Sequence, residues 1–317
     1  MRSLAFAHGF FGGDFARGFL ARGFSVRGFA PHFLAHFGTL AGGFSLNLWN
    51  DFQTMWQYDF MRHAFEAGTM VAIVAGVVGY FVVVRRLSFA AHALSHAGFA
   101  GAAGAVLLSL NPLVGLLAFT VGGGLGMAAL GKRAATRDVQ IGTVLAFMLG
   151  LGVLFISLYK GYATEAYSLL FGEILGISSG DVLVTAIAAV LILLAVAVLY
   201  RPLLFTSLDE DVAEAKGVPV RAVGAAFLVI LAVTTSIAVQ VVGVLLIFAL
   251  LVTPAAIAER LARRPARGMA ISVGVALLAT WFGLFISYYQ PYPVSFFIIT
   301  AVFAVYLAVR AAQGLRR

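Results

Sequence analysis

The chain is predicted to be an all-α polytopic membrane protein of about eight to nine transmembrane helices. Three observations lead there: 62% of its 317 residues are hydrophobic and only 11% are charged, the mean hydropathy is +1.01, and uniformly apolar runs follow one another. A soluble domain is about half apolar and a quarter charged. In hydrocarbon every backbone N–H and C=O needs an internal partner, so runs without polar–apolar alternation form helices rather than barrel strands.

Residues 1–58 differ in texture from the rest. Phe, Gly and Arg recur in near-pentads over 15–19, 20–24 and 25–29, and no apolar run there has the length of a span. Gly, Asp and Arg interrupt any signal-peptide core. The segment reads as a low-complexity extension, either amphipathic at the membrane surface or the product of a wrongly assigned start codon. Its His32 and His36 read as incidental.

From Phe60 onward, runs of about the 17 to 25 residues that cross a bilayer are expected near 64–84, 88–110, 112–131, 138–158, 181–200, 220–239, 241–259, 268–288 and 293–310. The basic breaks hold Arg85 and Arg86, then Lys132, Arg133 and Arg137, then Arg201 to Arg221, then Arg260 to Arg267, then Arg310 to Arg317. If every run crosses once, all of these share one side, which is cytoplasmic by the positive-inside rule. The pair meeting near Gln240 is short, and one re-entrant element there would reduce the count to eight. The protein is therefore expected to be multi-pass and embedded in lipid. The formal net charge of +8 belongs to these loops, so no nucleic acid is expected as a partner.

The cytoplasmic segment 203–219 contains Asp209, Glu210, Asp211, Glu214 and Gly217, followed by Val218 and Pro219. Ser207 or Asp209 can cap a short helix whose acidic first turn suits its dipole, and Gly217 can close it. Such a helix between two spans is a docking device.

The order of features around it resembles the metal-ion family of ABC importer permeases, over about 60–307. The stretches are Arg85-Arg86-Leu87-Ser88-Phe89, Ala93-Leu94-Ser95-His96-Ala97 with Gly101, Asp138 to Gly142, Leu170 to Leu175 with Asp181, the Asp209 to Gly217 loop, Gln240 to Leu246, and Pro254-Ala255-Ala256. The resemblance implies a permease homodimer. Each copy would dock a cytoplasmic ATP-hydrolysing subunit through the helix of the Asp209 to Gly217 loop, and an extracytoplasmic metal-binding protein would deliver zinc, manganese or iron(II). The residues agree on one point independently: no G-x-x-x-x-G-K-[ST] phosphate loop occurs, so ATP hydrolysis belongs to a partner and the chain itself is not expected to be an enzyme.

His92 and His96 are the metal candidates. Their i, i+4 spacing puts both imidazoles on one face of the second run, and ionisable groups inside a membrane are functional by default. Many members of the resembled family carry an acidic residue where this chain has His92. The change shifts the ligand set from oxygen towards nitrogen and favours zinc over manganese. With no cysteine in the chain, thiolate ligation is excluded. The divalent ion is cargo, and no permanently bound cofactor is expected.

Glu165, Glu173 and Asp181 lie in an outer break and could attract cations to an entrance or cap helices. Pro254 is expected to kink or break the seventh run and to act as a hinge or a static bend. Two other classes compete with the importer. A stand-alone secondary transporter or channel would use charged pairs at mid-membrane, which the runs lack. An intramembrane metalloenzyme would need a third protein ligand and an H-E-x-x-H base, which are missing.

Overall fold

The computed structural model describes residues 53–129, 134–159, 172, 174–290 and 292–314. Residues Met55–Arg317 form one compact unit, while the extension up to residue 52 lies outside the described residues. The unit holds nine long helices and one short one among the described residues: α1 Asp59–Val84, α2 Ser88–Leu107, α3 Pro112–Ala129, α4 Ala134–Leu158, α5 Ser179–Leu208, α6 Glu210–Ala215, α7 Val220–Val242, α8 Val244–Leu261, α9 Pro265–Tyr289 and α10 Val294–Gly314.

Eight of these are long and apolar enough to cross a membrane, and α2 is the long helix that is not. Its two histidines and its many small residues lower its hydropathy, yet most of it is enclosed, and its first turns open along one face, where Phe89 is exposed and His92 and His96 are half-buried. Helices α3, α4, α7 and α8 surround it. A helix shielded from lipid by its neighbours needs no lipid-facing apolar surface, so hydropathy alone undercounts it. By contrast the spans of α4 and α5 are 11% and 22% buried and expose rows of Leu, Val and Ile, which suits surfaces solvated by hydrocarbon.

Side-chain pairings fix the direction of each helix. At one end Arg85 of α1 bonds Thr206 of α5, Tyr80 of α1 packs on Gly268 of α9, and Gln313 of α10 donates to the Arg260 carbonyl of α8. At the other end His63 of α1 donates to the Ile177 carbonyl before α5, Gln240 of α7 donates to Asp181 of α5, and Tyr58 stacks near Tyr288 of α9. Helix α2 runs antiparallel to α3, with Gly101 against Gly115 and Gly98 against Thr120, and parallel to α4, with Phe89 near Gly142 and Gly104 near Phe155. Nine passes in alternating direction follow, with α2 included. The arginine-rich turns gather at the first end. Trp56, Tyr58, Tyr288 and Tyr292 gather at the second, as aromatic residues do at a membrane interface.

Three corners are closed by the same device, in which a residue with positive φ follows the helix and its own N–H and that of the next residue bond back. They are Arg86 (φ 57) after α1, Ser109 (φ 56) after α2 and Gly217 (φ 80) after α6. At the first, Arg86 N–H bonds the Val83 carbonyl at 3.0 Å and Leu87 N–H the Val82 carbonyl at 2.8 Å, which is the Schellman pattern. The interruption expected near Gln240 lies at Gly243 (φ 81), which ends α7 and starts α8. Close against it, Gly172 packs on the Val242–Gly243 backbone.

Two local expectations need correcting. Pro254 does not break the helix, because α8 continues through it to Leu261. The span expected to stop at 200 continues as α5 through Arg201 and Pro202 to Leu208. There the Thr206 hydroxyl bonds the Pro202 carbonyl at 2.9 Å and the Ser207 hydroxyl bonds the Leu203 carbonyl at 2.5 Å. These hydroxyls bond back within the turn that follows the proline, and the segment from 203 to 208 is helical rather than loop.

Candidate functional site

Helix α2 holds its histidines on the face between α4 and α8. Residues on its opposite side, Leu94, Ala97, Gly98 and Gly101, meet α3, where Gly101 and Gly115 bring the two backbones into direct contact. A side chain at either position would push the helices apart, and close approach of this kind holds helices together where no hydrophobic drive exists. This contact and the three-residue corner of Arg85, Arg86 and Leu87 fix how α2 is turned, and thereby where His92 and His96 point.

The two rings are 4.6 Å apart between centroids and nearly perpendicular, and Phe248 of α8 stacks edge-on against His92 at 4.8 Å. Both Nδ1 atoms are buried with no hydrogen-bond partner among the described residues. A buried polar atom left unpaired is unfavourable by about 1 to 3 kcal/mol unless a ligand or water meets it. The pair places two imidazoles side by side on one helix face, a chemistry that a cation accepting nitrogen donors uses. Two ligands are not a complete shell, and among the described residues no group of three or more His, Cys, Asp and Glu side chains converges.

The acidic segment forms the short helix expected of it. Asp209 rather than Ser207 is the cap, its carboxylate accepting from the N–H groups of Asp211 and Val212 at 3.0 Å each. Glu210 and Asp211 occupy the first turn, Glu214 lies in the last, and Gly217 closes the helix. Only Ala213 of α6 is buried, and Val212 is 45% exposed, so the helix presents most of its surface outward.

Asp181 is engaged rather than open. Its carboxylate accepts from the Ser178 N–H and hydroxyl in a reciprocal capping box at the start of α5, and from Gln240 Nε2 at 3.1 Å. Glu165 and Glu173 lie outside the described residues.

Sequence reasoning missed four participants. Phe248, which lies over His92, has no local signature, and Arg85 was read only as one of a basic pair, without its bond to Thr206. Gln240 was read only as the point of a helix break, and its amide proves to tie α7 to α5. His63 carried a signal that was passed over, a lone histidine at the outer end of the first span.

The chain matches the ABC 3 transport family over residues 57–313. It is 33% identical over 73% of its length to 83% of the manganese transport system membrane protein MntC of Listeria innocua. It is 34% identical, with the same coverage of both chains, to the manganese import system permease protein ScaB of Streptococcus parasanguinis. Its fold superposes on a chain of PsaBC from Streptococcus pneumoniae, solved in complex with Fab, with a TM-score of 0.74, 30% identity, and coverage of 82% of this chain and 94% of that one. An inward-facing metal-chelate type ABC transporter shares the fold alone, with a TM-score of 0.59 at 16% identity. The helical architecture, the ordered motifs and these matches agree, and the chain belongs to the ABC 3 transport family of membrane-spanning permeases.

Proposed function

We propose that this permease carries a divalent transition-metal ion inward across a bacterial cytoplasmic membrane. ATP is hydrolysed by a cytoplasmic subunit docked on α6, and an extracytoplasmic binding protein delivers the ion. The observation that carries this reading is the His92–His96 pair, two imidazoles on one membrane-embedded helix with unpaired, buried Nδ1 atoms. Two nitrogen donors are half of a tetrahedral shell. A second copy related by a two-fold axis would bring the other half, so a homodimer is the working assembly. The ion is cargo and stays only for passage.

Nitrogen ligation favours zinc. The second reading, manganese, is favoured by the names of the relatives from Listeria and Streptococcus. Reconstitution of the permease with its ATPase and binding protein, followed by uptake of radioactive zinc and manganese, tests both. His92→Ala and His96→Ala are expected to lower uptake by about tenfold or more, since even outer-shell changes at metal sites cost that much, while the complex still assembles. Unchanged uptake would remove the pair from the path, and manganese uptake without zinc would overturn the choice of ion alone.

A further inference from the structure

Arg85 is one link between the short α6 helix and the histidine helix, beside the direct packing of α7 on α2. Arg85 caps α1, and its guanidinium donates to the Thr206 hydroxyl at 2.7 Å. The same group lies over the ring of Phe227, 5.6 Å from its centroid. Thr206 sits in the last turn of α5, three residues before the Asp209 cap of α6, and Phe227 sits in the second turn of α7, the helix that follows α6. Arg85 therefore touches both helices that flank α6. A planar guanidinium can donate from its edge and stack on an aromatic face at once, which a lysine ammonium cannot do.

The ground around this contact is stiff. Phe227 is fully buried and packs edge-on with Phe81 of α1, which in turn packs on Tyr200 of α5. Helix α6 is bounded by the Asp209 cap and by the turn at Gly217, where Val218 N–H bonds the Ala213 carbonyl at 3.0 Å. On the other side of Arg85, the Arg86–Leu87 corner is closed by two backbone bonds, so α2 has little freedom to move apart from α1. His92 lies one turn into that corner's helix, about 6 Å along its axis from Ser88.

We propose that Arg85 is the positioning residue that passes displacement of α6 to His92 and His96, linking the ATPase cycle to the ion path. The proposal rests on the docking role of α6 given above. When a partner pushes α6, the end of α5 and the start of α7 move with it. Arg85 is held by both, and it carries the α1–α2 corner along. Among the described residues α6 makes its main contacts with α5 and α7, and α7 in turn packs on α2.

The test is the amount of metal moved per ATP by the reconstituted complex of permease, ATPase and binding protein, with whichever ion the wild type carries. Arg85→Met keeps the stem and removes the donor, and Thr206→Val removes the acceptor at constant shape. Both are expected to leave ATP hydrolysis within twofold of wild type and melting within a few degrees, while metal moved per ATP falls tenfold or more. The double variant is expected to be no worse than either single one. Metal per ATP within twofold of wild type in both variants overturns the proposal, as does a parallel fall of uptake, hydrolysis and melting temperature. If Arg85→Met does not fold, Thr206→Val decides alone. Val212→Glu on the exposed side of α6 separates the underlying reading. If it retains the ATPase at wild-type stoichiometry, α6 does not dock and the proposal falls with it. If it loses the ATPase while the other two variants stay coupled, the transmission role alone is wrong.

Discussion

Gly101 of α2 and Gly115 of α3 meet backbone to backbone, so that a Cβ built on either would collide with the carbonyl oxygen of the other. This contact sets how closely the histidine helix is held to its neighbour, and it makes a direct prediction.

Gly101→Ala is expected to destabilise the folded protein by about 1 to 3 kcal/mol, the range for overpacking a close contact. At this chain length that is about 2 to 4 °C in melting temperature per kcal/mol, read in detergent by a thermal scan. Gly122→Ala on the same helix pair is the control. A Cβ there meets nothing within 4 Å, so its melting temperature should not fall. Equal losses in both variants would show that the contact is not special.

Asp181→Ala should loosen the outer end of α5. It removes the capping box with Ser178 and the acceptor for Gln240, and loss of a cap costs about 1 kcal/mol. Hydrogen exchange at the first amides of α5 should speed up by about fivefold, the equivalent of that energy. Uptake that is abolished without any change in exchange would mean that the carboxylate acts on the ion rather than on the helix.

Gly217→Ala tests the closure of α6 with no steric confusion, since a Cβ there meets open space and only the backbone conformation (φ 80) objects. About 1 kcal/mol of local stability should be lost. Protection of amides 210–216 should drop while the global melting temperature holds. Gly217→Asn should recover part of the loss, because Asn tolerates left-handed backbone better than Ala.

His92→Asp should change selectivity rather than abolish transport. It replaces a nitrogen donor with an oxygen donor, and oxygen ligands suit manganese better than zinc. The ratio of manganese to zinc uptake is expected to rise by about tenfold. A ratio that stays at the wild-type value while total uptake persists would take residue 92 out of the ion's coordination.

Many features were readable along the chain because they depend on neighbours in sequence. Span positions follow from runs of apolar side chains, the grouping of alternate turns at one end follows from the arginine clusters, and the α6 helix follows from Asp209, an acidic first turn and Gly217. Where sequence reasoning went astray, the cause was local support that a pattern does not reveal. Pro254 was expected to kink or break its helix and the fifth run to stop at 200, yet α8 runs through Pro254 to Leu261 and α5 runs through Pro202 to Leu208.

The i, i+4 spacing of His92 and His96 already put both rings on one face, since a helix repeats every 3.6 residues. Which direction that face takes was decided by packing, through Gly101 on Gly115 and Phe248 on His92. The pairings of Arg85 with Thr206, Gln240 with Asp181 and His63 with the Ile177 carbonyl join residues 121, 59 and 114 positions apart. Helix formation is a short-range matter of propensity, capping and hydrophobic length. Contacts between helices arise only when loop closure and shape complementarity bring distant segments together, and no local pattern encodes that choice of partner.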